Sequence, residues 1–476
     1  MSSETSQTLS TKEKIGYGLG DTASNFVFHI VNAFLITYYT DVIGLNPAAV
    51  GTLYAVARLW DAISDPLMGG LADRTQTKFG KYRPYLLWIA VPYGLIGFLA
   101  FLGPDLDPTW KLVYAYVTYI ALMTVYTAIN VPYSALMGTM TGDPAERASL
   151  SNYRFAGAFS AQVIIGLALF PIINSFGGRN SPEAWRTAMI VFSILATFLF
   201  LYTFFTTRER IAPSKEERVD LGKDLKYLTS NRPLIVMLIV AFITLAFSGL
   251  RWGITYPYLK YLADLGDGKY FWYLDRMSIF YASAPIALVF GLLLTKPLSK
   301  RFGKRNALIG LTMINAFSVI AFYFVPAKNF EQIFWLNLVS AFFAGPMPAL
   351  VWAIYTDVVD YGEWKFGRRI TALTFAAAML VQKAGLALGG WAVGMLLAYF
   401  GYVANVEQSS ESAHGILLMF FRAQAADFFN KILQICHNLS EYRQNIWRLS
   451  ARLRRRFCKY SVSTHSFCSI FFIYIG

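Results

Sequence analysis

The sequence predicts an all-α membrane protein, and three observations carry that prediction. Of its 476 residues 56% are hydrophobic, 17% aromatic and only 15% charged, a balance that suits lipid better than water. Apolar stretches long enough to cross a hydrocarbon core, which takes roughly 20 residues, recur along most of the chain, as in Met277 to Thr295, Asn306 to Val325 and Ile333 to Tyr355. The turns between these stretches alternate between rich and poor in basic residues, as the two faces of a membrane require.

Taken in order, the apolar stretches predict eleven helices, at about 15–40, 49–72, 84–103, 110–139, 153–176, 184–206, 233–261, 276–295, 306–325, 331–356 and 371–402. Summed over alternate turns, one face holds 22 Lys and Arg and the other 7. The positive-inside rule therefore puts the N-terminus in the cytoplasm and the chain in the plasma membrane, crossing it many times. The polar opening MSSETSQTLSTKEK has no apolar stretch ahead of a small-residue cleavage site, so no signal peptide is read there. Half of the net charge of +14 belongs to the segment from Arg422 onward, with nine basic and two acidic residues. Inner-face bias and this tail account for the basicity without a nucleic-acid partner.

A repeat divides the chain. Phe79-Gly80-Lys81-Tyr82-Arg83 follows the second helix and Phe302-Gly303-Lys304-Arg305 follows the eighth. Each is a short basic turn after the second helix of a six-helix set, the layout of two related bundles. The expected domains are a first bundle over 1–206, a cytoplasmic linker over 207–232, helices seven to eleven over 233–412, and a basic tail over 413–476 where a twelfth helix belongs. In that tail no apolar stretch approaches span length. All three cysteines (Cys436, Cys458, Cys468) lie there, without metal-site spacing. The abrupt change in composition suggests an altered end of the reading frame, with the twelfth helix absent or distorted and residues from about 422 poorly ordered.

The second helix carries Arg58, Asp61 and Asp65, at offsets of three and then four, so all three fall on one helical face. Each such charge costs about 2.5–3.5 kcal/mol at the bilayer centre, so the three must pair or face a polar cavity. An Arg58–Asp61 pair that merely packs the bundle is one reading, and it leaves Asp65 unexplained. The other is a cation site, since two carboxylates one turn apart can share a proton or offer oxygens to sodium.

Seven segments (GYGLGDTASNF, YYTDVIGL, VARLWDAISDP, FGKYRP, NVPYSALM, DVVDYGEW, GYVANVEQS) together resemble the glycoside-pentoside-hexuronide:cation symporter family, in family order over about 10–419. The resemblance implies a twelve-helix major facilitator fold of two six-helix bundles, here with the twelfth helix disrupted, alternating access, and coupling to sodium, lithium or protons. The family's cation-site carboxylates fall on Asp61 and Asp65, its preceding arginine on Arg58, and a cation-ligating threonine on Thr127. An asparagine between the two aspartates of the family's melibiose-transporting member is Ser64 here, which keeps an oxygen. The two aspartates that hold galactosyl hydroxyls in that member fall on Asn25 and Asn130, and its stacking tryptophan on Ser134, so galactoside recognition is not implied. Arg154 and Lys383 match family positions near the cavity; for Lys383 the alternative is snorkelling to an interface. Asp357, Asp360, Glu363 and Arg368 match an inner turn whose salt bridges lock one state, though a solvated charged loop reads equally well.

These residues imply a symporter that imports a small sugar or glycoside with sodium or a proton, held in the lipid bilayer as a monomer. The substrate cavity would be built from Asn25, Arg58, Asn130, Tyr133, Arg154, Trp352 and Lys383. No nucleophile-base arrangement, phosphate loop or metal-ligand cluster supports an enzyme, and no cofactor is expected beyond the coupling ion. A lipid or amphiphile carrier of the same fold is the alternative.

Overall fold

The computed structural model describes residues 8–211, 229–263, 265, 273–366 and 371–420, all within one compact unit, Met1–Phe428. The described chain is almost wholly helical, and several helix starts have a local cause. Helix α1 (Thr11–Thr37) opens at a capping box: the Glu13 amide donates to Ser10 Oγ at 3.3 Å while Glu13 Oε2 accepts from the Ser10 amide at 3.2 Å. That Ser-x-x-Glu signature starts the helix four residues before the apolar pattern does. A π-helical turn, Tyr38–Val42, closes it. Helix α2 (Pro47–Arg74) is capped by Asn46 and begins on proline, whose missing N–H costs nothing there. The third predicted helix is two pieces, α3 (Arg83–Trp88) and α4 (Ala90–Leu99), joined at Ile89.

Next come α5 (Pro108–Met140), α6 (Pro144–Ser175) and α7 (Pro182–Thr206). The expected start of α6 at 153 is corrected to Pro144: the polar turn PAERASLSN, too charged to read as membrane-buried, continues the same helix. The second half holds α8 (Arg232–Tyr261), α9 (Arg276–Leu292), α10 (Thr295–Phe324), α11 (Phe330–Ala344), α12 (Met347–Phe366) and α13 (Thr371–Tyr399). The predicted helix 331–356 is thus broken at Gly345 and Pro346, where proline removes a backbone donor. Residues 410–420 form a further helix, α14. The rest of the expected tail, from 421, lies outside the described residues, as does most of the linker.

The repeat has a backbone counterpart. Gly80 and Gly303 have φ of 108° and 75°, a region closed to most L-residues, so both turns pivot on the same element of the FGK motif. In the first half the pivot is clamped: Glu209 accepts from the amides of Lys81, Tyr82 and Arg83 at 3.0, 2.7 and 2.9 Å. In the second, the 296–305 segment expected as a turn is helical on both sides of Gly303, and α9 and α10 meet at 72°.

Among the described residues six segments are long and apolar enough to span a membrane by length and composition alone, α11 and α12 together forming one of them, and the bent α9–α10 pair is a seventh. Helices α1 and α2 fall outside that set: α2 carries Arg58, Asp61 and Asp65, and the apolar residues of α1 are diluted by Asp21, Asn25, His29 and Asn32. Those charges mark where the helices turn away from lipid. The halves meet closely near Asp41. A Cβ on Gly394 of α13 would lie 2.4 Å from the Pro47 carbonyl and 2.6 Å from Gly51 Cα, and one on Gly166 of α6 would lie 2.5 Å from the Ala282 amide of α9. Small residues there let backbones touch.

Candidate functional site

The α2 stripe forms one cluster with a side chain from the other half. Asp61 is fully buried, Arg58 nearly so, and the Asp65 side chain keeps 31% exposure. Thr127 of α5 places its hydroxyl oxygen 2.9 Å from Asp61 Oδ1 and 3.1 Å from Asp65 Oδ1. One hydroxyl proton serves one of them at a time. Ser64 Oγ lies 3.3 Å from Thr127 Oγ1 and 3.1 Å from the Asp61 carbonyl. From α13, Lys383 Nζ donates to Asp65 Oδ2 and stands 3.0 Å from Asp61 Oδ2. A single ammonium therefore bridges both carboxylates and ties the two halves together. No snorkelling direction accounts for this position.

Arg58 is held differently from a simple partner of Asp61. Its Nη1 is 4.0 Å from Asp61 Oδ2, beyond hydrogen-bond length. Nη2 donates to Asn32 Oδ1 and to the Tyr54 hydroxyl, the latter at 3.1 Å. Tyr54 also donates to Asn32, at 2.5 Å, and the rings of Phe28 and Tyr54 each lie 5.1 Å from the guanidinium, within cation–π range. Asn32 has no sequence signal beyond being a polar residue in an apolar helix, and was not anticipated.

The remaining predicted residues make separate arrangements of their own. Asn130 lies one turn beyond Thr127, donates to the Tyr126 hydroxyl at 3.1 Å, and leaves its Oδ1 buried without a partner among the described residues. Asn25 donates to the Asp21 carbonyl at 2.9 Å. Arg154 pairs with Asp21 at 2.6 Å and lies 5.0 Å from the Tyr133 ring. Tyr133 is fully buried and donates to the Tyr17 carbonyl at 2.6 Å. Trp352 stacks on Phe375 with centroids 5.6 Å apart. At the end of α12, Asp357 accepts from Lys304 of α10 at 2.7 Å, a contact within the second half. Asp360 and Glu363 share that helix end, and Arg368 lies outside the described residues.

A second polar cluster closes the opposite end of the seam. Asp41, buried at the end of α1, accepts from Lys260 Nζ at 2.8 Å and from the hydroxyls of Tyr261 and Tyr402 at 2.5 Å each. Asn405 Nδ2 donates to the Asp41 carbonyl at 2.6 Å. Nearby, Asp275 accepts from Asn174 at 2.8 Å and Arg179 at 2.5 Å. Asp41 is a first-half residue with second-half partners, and Asp275 is a second-half residue with first-half partners. The motif YYTDVIGL carries Asp41 and GYVANVEQS carries Tyr402 and Asn405, but nothing in either says that they meet.

Burial raises the Asp275 carboxyl, but the Ser278 hydroxyl and amide, Arg179 and Asn174 outweigh it and hold the group below its ordinary 3.8. A depressed carboxyl contributes stability above its ordinary pKa and loses it as pH falls through the lowered value. Thermal stability in detergent should therefore be insensitive to this contact from pH 8 to about pH 5 and fall below about pH 4. Asp275→Asn should remove that acid-dependent part; an unchanged acid limb in the variant would refute the assignment.

The sequence profile of the MFS/sugar transport proteins matches residues 16–429. The chain belongs to that family. As a major facilitator protein it has two six-helix bundles, with the carboxylate cluster on the first and Lys383 on the second. It is 37% identical to the "putative glycoside/cation symporter YagG" of Escherichia coli (strain K12), over 83% of this chain and 85% of that protein. It is 34% identical to the "inner membrane symporter YicJ" of the same strain, over 97% and 94%. That match extends past residue 420, into the tail that the sequence reading set outside the resemblance. The "glucuronide carrier protein homolog" of that strain is 31% identical over 86% and 88%. Among solved structures, a variant of the nucleoside transporter NupG superposes with a TM-score of 0.62 over 89% of this chain and 99% of that one, at 13% identity. That likeness is one of fold.

Proposed function

We propose that the protein is a symporter that imports a sugar or glycoside together with sodium or a proton, by alternating access, in the plasma membrane with its N-terminus in the cytoplasm. The observation that carries the reading is the Asp61–Asp65–Thr127 oxygen cluster, bridged by Lys383 from the other half. Two carboxylates and a hydroxyl make an oxygen-rich site for a hard cation or a shared proton, and a site spanning the halves feels their relative movement. The basic-residue asymmetry of 22 to 7 supports the orientation. It makes the Asp41 end extracellular, and the contacts of Asp41 with Lys260, Tyr261 and Tyr402 close that end.

The relatives named for glycoside and glucuronide transport support a sugar over a lipid or amphiphile. One cation entering with a neutral solute is driven by about 2.3 kcal/mol per 100 mV, enough for roughly 50-fold accumulation. Asn25 and Asn130 offer donors and acceptors without carboxylate charge, which favours pentosides, glucosides or hexuronides over galactosides. A radiolabelled glycoside panel in whole cells, with and without sodium and at two pH values, should show ion-stimulated uptake of one of these classes. Melibiose taken up better than every other glycoside would contradict the substrate assignment; uptake indifferent to both ions would contradict symport.

A further inference from the structure

Four formal charges meet in the cluster, and they cancel: Asp61 and Asp65 against Arg58 and Lys383. The groups that face it from each packed helix are Tyr54, Arg58, Asp61 and Asp65 on α2, Tyr119 and Tyr126 on α5 and Lys383 on α13. Among the described residues, Lys383 touches both carboxylates, so its ammonium stands where a coupling cation would need to share their oxygens. A fifth charge would leave the cluster at +1, around an aspartate and an arginine too deeply buried for salt to screen. Arg58 is fixed by Asn32, Tyr54 and two rings, and cannot leave. Lys383 can. Its side chain keeps 25% exposure, its flexible four-carbon stem allows several positions for the ammonium, and it belongs to the half that moves relative to α2.

We propose that Lys383 is the resident cation of the ion-free site, that the coupling ion displaces it, and that the released ammonium then recognises an acidic group on the sugar. The inference rests on the symport reading above. Ion and acidic sugar complete a neutral set: the entering cation takes over the carboxylates, and the sugar's carboxylate or sulfonate takes over Lys383. Asn25 and Asn130 put no carboxylate in the way of such an anion, and the unpaired Asn130 Oδ1 is an acceptor one turn from Thr127 for a sugar hydroxyl. One monovalent cation with one monoanionic sugar moves no net charge, whereas the same cation with a neutral sugar does.

The test uses the full chain in proteoliposomes, with methyl glucuronide and its neutral isostere methyl glucoside as probes, and sodium and a pH step as separate arms. In the wild type, saturating coupling ion should tighten glucuronide at least tenfold more than glucoside. An inside-negative potential of about 100 mV should speed glucoside uptake severalfold and leave glucuronide uptake within twofold. Lys383→Gln should bind the ion about tenfold more tightly, its competitor removed, and lose the preference for the acidic sugar; Lys383→Arg should retain the preference and shows that the position folds and transports. Equal ion responses for the two sugars, or unaltered ion affinity in Lys383→Gln, would overturn this inference alone. Indifference of both sugars to both ions would overturn the symport reading with it.

Discussion

Neutralising both α2 carboxylates, Asp61→Asn with Asp65→Asn, is expected to abolish uphill accumulation while leaving sugar exchange down a gradient. The two groups sit 2.9 and 3.1 Å from one hydroxyl and share one ammonium, so each amide removes an oxygen charge that a coupling ion needs. Coupling energy of about 2.3 kcal/mol per 100 mV is then unavailable, and the steady-state ratio of a neutral sugar should fall from tens to about one. The variant also leaves Lys383 and Arg58 without carboxylates, at a cost of a few kcal/mol, so its folding must be verified by sugar binding in detergent. Accumulation above the external concentration by a folded double variant would refute the site.

The second large effect is expected at Asp41. Asp41→Asn preserves shape but removes the charge that Lys260, Tyr261 and Tyr402 converge on. These partners come from the opposite half and must separate when this end opens. The substitution therefore destabilises the closed state more than the open one, and only that difference moves the equilibrium. Removing one member of a buried pair costs about 3–5 kcal/mol, and a differential of even half of this shifts the population tenfold or more. With the tail cysteines replaced by serine, a reporter Ala48→Cys beside the Pro47–Gly394 contact should become at least ten times more reactive to a membrane-impermeant thiol reagent added outside. Net uptake should slow, because the carrier returns to the inward state less often. Reactivity equal to that of the unsubstituted carrier would show that the cluster does not hold this end closed.

Much of the site was legible because helical periodicity acts over short distances. Offsets of three and four place Arg58, Asp61 and Asp65 on one face, and the cost of charge in lipid says that the face must be occupied. The repeat was legible because both turns need a glycine at positive φ, a demand that backbone sterics write directly into the sequence. The breaks at Ile89 and Gly345 and the early start of α6 were not, since hydropathy measures how much of a segment lipid tolerates and not where its hydrogen-bond ladder is interrupted. The polar Ser-x-x-Glu cap of α1 is a local signal that apolar periodicity does not contain.

By itself, then, the sequence determined a many-helix membrane chain, its internal duplication, and a charged stripe that cannot face lipid. Only the tertiary structure decided what that stripe meets. Asn32 and Tyr54 immobilise Arg58, and Lys383, more than three hundred residues away, bridges the two aspartates. Asp41 likewise finds its partners near residues 260 and 402. The physical reason is one of range. A helix's own periodicity fixes which side chains share a face, but which charge neutralises them depends on how the two halves pack, and nothing local in the chain encodes that distance.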